Sequence, residues 1–181
     1  MLRLLMSVAV LVVVSSQGLR AQEFAALTGK IVPGRCHMDY CSWFSIESAE
    51  AVGEAPHGVL FKVDTKWFSS HHPRGYDRPA PRKLDNEETS YVYCSKTKPA
   101  LLSRNDDKTT WTADFLAPGN RQEVFGANET ALAFYWAACH RAIVKDVYEG
   151  GARLGQKLGY RLGKPADSMD KLADPKVALT W

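Results

Sequence analysis

The sequence predicts an α+β fold: a small antiparallel sheet of about five strands with a C-terminal helix packed on one face, stabilised by disulfides. Three observations carry that expectation. Runs of period-two alternation recur between residues 42 and 116, a helical stripe follows at 129–147, and cysteines fall on both patterns.

The clearest strand is 58–68. Val59, Phe61, Val63, Thr65 and Trp67 fall on one face, while Lys62, Asp64 and Lys66 fall on the other. Such alternation marks a strand with one face buried. Residues 42–49 alternate likewise, with Phe44 and Ile46 together, and 89–95 sets Val92 and Cys94 against Tyr91 and Tyr93. The apolar stretch 99–103, the turn signal Asn105-Asp106-Asp107 and the alternating 109–116 read as a hairpin. The period then changes. Leu132, Trp136, Cys139, Ile143 and Val147 recur at helical spacing, with Asn128 as N-cap and Glu129 in the first turn.

The four cysteines are Cys36, Cys41, Cys94 and Cys139. Cys36 and Cys41 lie close in sequence. Cys94 sits on an apolar strand face and Cys139 on the helix stripe, so helix-on-sheet packing would bring that pair together. The favoured pairing is Cys36–Cys41 with Cys94–Cys139. No C-x-x-C spacing supports a zinc site or haem attachment, and neither a metal nor another cofactor is expected.

The N-terminus reads as an export signal over 1–21. Arg3 precedes an apolar stretch, 4–14, broken by Ser7, and small and polar residues lead to cleavage after Ala21. About 11 apolar residues are too few for a membrane span, which needs roughly 20. An even cysteine count in an exported chain favours disulfides, and the expected location is the periplasm or the extracellular space. Removing Arg3 and Arg20 lowers Lys+Arg from 23 to 21 against 20 acidic residues, and net charge from +3 to +1. A near-neutral chain has no global field for nucleic acid. Residues 22–149 are expected to form the α+β domain.

Two regions fall outside that core. Residues 69–86 hold Pro73, Pro79 and Pro81, which argue against a strand or helix there. Within it, His71, His72, Arg74, Tyr76, Arg78, Arg82 and Lys83 make a candidate anion-binding loop, because guanidinium forks suit planar anions. Residues 150–181 begin with Gly151, Gly155, Gly159 and Gly163 at four-residue spacing, alongside Arg153, Lys157 and Arg161. They read as a Gly-rich basic helix or a loosely ordered tail.

Catalytic signatures are missing. There is no G-x-S-x-G, no G-x-x-x-x-G-K-[ST] and no G-x-G-x-x-G. The leading expectation is an exported, non-catalytic binding protein that engages an anionic ligand, an anionic envelope component or a protein partner through 71–83. One alternative is an exported hydrolase with a His-based site at His37, Asp39 and His71. Another is a structural or assembly role for the 150–164 segment.

Overall fold

The computed structural model describes residues 26–181 apart from Phe125, Ala127 and Leu162, so the expected export signal lies outside the described residues. Seven strands form one antiparallel sheet in strict chain order. They are β1 (Val32–His37), β2 (Tyr40–Ala55), β3 (Gly58–His71), β4 (Lys83–Ser95), β5 (Ala100–Arg104), β6 (Trp111–Phe115) and β7 (Met169–Leu172). Among the described residues, two α-helices, α1 (Glu129–His140) and α2 (Ala152–Lys157), a π-helical turn over Val147–Gly151 and 3-10 turns over Arg121–Glu123 and Pro175–Thr180 accompany the sheet.

The expected five-strand α+β class is therefore corrected. The protein is a mostly-β meander of seven strands, with helix at about 21%. Strand β1 contains Pro33-Gly34, a pair that favours turns in sequence. It survives as a strand because it is a sheet edge with an irregularity between Pro33 and Cys36, where a missing N–H costs least. The strand at β7 is a short, exposed run without alternation, so periodicity gives no sign of it. Strands β2, β3 and β4 also run beyond their expected ends. Ser69, Ser70 and His71 belong to β3, and 83–86 belong to β4, so the true connection is only 72–82.

Both faces of the central strands are buried. On one face Phe44, Ile46, Phe61, Val63 and Val92 pack with Leu132, Phe134 and Trp136 of α1. On the other, Leu60, Tyr93, Ala100, Leu102 and Ala113 pack with Ala178, joined by Leu179 and Trp181. Residues 60 and 61, like 92 and 93, point into different clusters because successive strand side chains face opposite ways. The chain's last residue thus has a role: the Trp181 ring meets Tyr93 edge-on at 5.7 Å and Phe115 at 4.8 Å.

Helix α1 stops at His140, short of the expected end at 147. Arg141 adopts a left-handed conformation (φ 53°) and leaves Ile143 exposed. Every residue from Leu132 to Cys139 is buried, as an all-round apolar helix requires. Its second side is covered by Val147, Leu154, Leu158 and Tyr160. The 150–181 region holds the short helix α2, strand β7 and the closing 3-10 turn. Gly155 lets α2 approach the 118–119 backbone, where an added Cβ would meet the Pro118 carbonyl oxygen at 2.6 Å. Gly159 (φ 80°) ends α2. Its N–H donates to Gln156 O and that of Tyr160 to Gly155 O, both at 3.0 Å, in a Schellman closure.

Two disulfides are present, Cys36–Cys41 and Cys94–Cys139, and the described residues hold no free cysteine. Cys36 and Cys41 face each other across a two-residue hairpin whose central Met38 and Asp39 both have positive φ (48° and 64°). Positive φ at both positions matches the twist of the flanking strands. The second bridge ties the end of β4 to the last turn of α1. Two disulfides fit an oxidising compartment. No helix among the described residues is long and apolar enough to cross a membrane.

Candidate functional site

The 72–82 loop is clasped onto the tip of the β1–β2 hairpin. The His72 N–H donates to Asp39 O at 2.6 Å, and the Asp39 N–H donates to the Tyr76 hydroxyl at 3.0 Å. One strand position earlier, the His71 ring stacks on Tyr40 at 4.5 Å, its register partner across the β2–β3 ladder. His72 points the other way and is buried. Adjacent residues of an extended segment point to opposite faces, so His71 and His72 have separate environments.

The hydrogen bonds around His72 define its tautomer. Trp43 Nε1–H donates to Ser70 Oγ at 2.7 Å. Ser70 Oγ lies 2.8 Å from His72 Nε2, and His72 Nδ1 lies 3.1 Å from the Arg78 carbonyl. A carbonyl can only accept, so Nδ1 carries the proton; the Ser70 hydroxyl then donates to Nε2. This chain runs from β2 through β3 to the far side of the loop. The loop's three prolines stiffen it further by restricting φ.

The consequence is a hollow of about 480 Å³, lined by Tyr40, His71, Arg74, Arg78, Lys83 and the prolines, with no Asp or Glu in its wall. Not every candidate residue lines it. Arg82 lies over the Trp43 ring at 4.1 Å, and Tyr76 is spent on Asp39, its ring edge-on to His72. The acids that follow the loop are engaged elsewhere: Asp85 accepts from Ser69 Oγ, Glu87 lies 3.9 Å from Lys66, and Glu88 accepts from Trp67 Nε1. Among the described residues, Arg74, Arg78, Arg82 and Lys83 form no ion pair. Arg74, Arg78 and Lys83 thus line one concavity without an ion pair among the described residues, Asp77 being the one acid of the 72–82 loop, and such a cationic concavity attracts anions.

Sequence reasoning missed Tyr40, Trp43 and Ser70, which hold the loop. Trp43 reads as core, and nothing local marks Ser70 as the relay between an indole and an imidazole.

Of the alternative constellation, His37 and His71 are both register partners of Tyr40, on either side of it in the sheet. Among the described residues no hydrogen bond joins the His37 ring, the Asp39 carboxylate and His71. Within the same set no three His, Cys, Asp or Glu side chains converge as a metal site. The 150–164 segment turns Gly151, Ala152 and Tyr160 into the protein's own interior.

Compared with protein-family models, curated proteins and solved structures, the chain matches none.

Proposed function

We propose that the protein is an exported, non-catalytic binding domain whose 71–83 loop captures a small anion or an acidic group on an envelope partner. The observation that carries this reading is the acid-free hollow bearing Arg74, Arg78 and Lys83 on a loop pinned from beneath by His72. Pinning matters because a pre-ordered loop gives up less entropy when it binds. Guanidinium groups can meet a carboxylate or phosphate through two parallel hydrogen bonds. The disulfides support the oxidising location that export implies.

Trp43, beneath Arg82, supplies the readout. Its fluorescence should change saturably on titration with inorganic phosphate, citrate or an oligogalacturonate, and Arg74→Glu/Arg78→Glu should abolish the change. If the double reversal leaves every such titration and every captured envelope interaction intact, the loop is not the binding element.

A further inference from the structure

The turn between β4 and β5 lies at the opposite end of the β3–β4 ladder from the 72–82 loop. Two adjoining hollows of about 380 and 290 Å³ meet there and share Lys96 and Tyr160. Between them they are lined by Lys96, Lys98, Arg141, Arg161 and Lys164, with no Asp or Glu. These cations come from three separate stretches of chain: the β4–β5 turn, the residue after α1, and the segment after α2.

Buried hydrogen bonds lock those stretches together. Ser95 Oγ accepts the N–H groups of Thr97 and Lys98, each at 3.2 Å, and shapes the turn. The Tyr135 hydroxyl, from α1, donates to the Ser95 carbonyl at 3.1 Å and lies 3.0 Å from the Tyr160 hydroxyl. Tyr160 in turn hydrogen-bonds His140 Nε2. These bonds tie the β4–β5 turn and the end of α1 to Tyr160, the residue before Arg161. Among the described residues, Lys96, Lys98, Arg161 and Lys164 make no ion pair. Like charges gathered at a concavity repel one another, and only an outside anion or solvent relieves them.

The floor of the larger hollow is apolar, with Phe115, Leu116, Pro118 and Pro165. A purely ionic ligand would leave that surface unused. We infer that this cleft binds a small amphipathic anion, with a phosphate or carboxylate head held by Lys96, Lys98, Arg161 and Lys164 and an apolar body laid against Phe115 and Pro118. The site is distinct from the 71–83 loop and does not depend on it.

His140 provides an internal reporter. Its imidazole is held below the ordinary histidine range by burial, then by Arg141 and Lys96. Tyr135, Trp136 and Tyr160 are the other rings against it. An anion seated beside Lys96 offsets the positive field and shifts His140 back upward.

Calorimetric titration of the full mature protein with decyl phosphate, below its micelle concentration, tests the site. Saturable binding is expected, weakened by about tenfold or more in Lys98→Glu/Lys164→Glu. The charge-matched Lys30→Glu/Lys145→Glu control should retain it, and the His140 imidazole proton resonance should titrate at higher pH in the complex. Inorganic phosphate binding as tightly would show the floor to be unused, and neutral decyl glucoside binding as tightly would show the cations to be unused. Either result overturns the inference, as does no binding of decyl phosphate, or binding that survives the Lys98/Lys164 reversal.

Discussion

The two disulfides stand beside the two cation-lined regions, and they do different work. Cys36–Cys41 closes a short hairpin, joining residues that the ladder already places opposite one another at a Cα separation of 4.0 Å. Cys94–Cys139 spans 45 residues of sequence and joins a strand to a helix. The first refines a local turn, on which the 72–82 loop then rests through Asp39. The second defines how α1 lies on the sheet, and so where His140 and Tyr135 meet Tyr160. A short-range bridge shapes a surface, whereas a long-range one sets the packing of the whole chain.

The largest separation between them should appear on bond removal. By the loop-closure model, Cys94→Ala/Cys139→Ala loses about 4 kcal/mol and Cys36→Ser/Cys41→Ser about 2 kcal/mol. For a chain of this size the first corresponds to a fall in Tm of about 10 °C and the second to about half that. Differential scanning calorimetry of both variants checks the ratio. Equal losses would mean that strain or residual unfolded structure, not loop length, dominates. Hydrogen exchange sharpens the contrast. Protection of the His72 amide, bonded to Asp39 O, should drop in the Cys36/Cys41 variant while α1 amides stay protected.

Within the loop region, Ser70→Ala comes next in size. It leaves the Trp43 indole N–H and the His72 Nε2 without the hydroxyl that serves both. Loss of a partner to buried polar groups costs about 1–3 kcal/mol, and urea unfolding should show a fall in that range. Exchange should speed up at 72–78 but not at the Ser95–Lys98 turn. A uniform change across both regions would contradict the local clasp.

These differences also explain what was readable in the sequence. The inner strand segments, the hairpin at Asn105–Asp107 and the start of α1 follow from alternation, turn chemistry and helical spacing, which are local signals. Lys108, for instance, takes positive φ where Asp107 accepts the N–H groups of Thr109 and Thr110. The second buried face was illegible. Leu60 and Tyr93 share strand positions with polar neighbours, and their cover arrives from Ala178, Leu179 and Trp181 at the far end of the chain. The stop of α1 was illegible too, since Arg141 adopts a conformation usually marked by Gly. Of the candidate site, the cationic loop residues were visible by composition. Their placement was not, because it depends on Ser70 and Tyr40 holding the loop from neighbouring strands.

The smallest effect distinguishes the two regions by pH. The His140 imidazole is held below the ordinary histidine range in the folded state, chiefly because of burial. The unfolded chain therefore binds a proton first as pH falls. The stabilising contribution is complete above the unfolded value of about 6.5 and is lost as pH drops toward and through the folded one. Paired carboxylates respond in a lower window. Asp64 is held down by Ser48 and Thr89, Glu47 by Ser45, and Asp107 lies at about 2 through its bonds to Thr110 and Thr109. These lose their contribution only below the ordinary carboxylate range. Melting curves recorded from pH 7 downward test this, and the decline in Tm that His140 contributes should vanish in His140→Gln. A decline that persists there would move the titrating group elsewhere and separate the His140–Tyr160 contact from the protein's acid sensitivity.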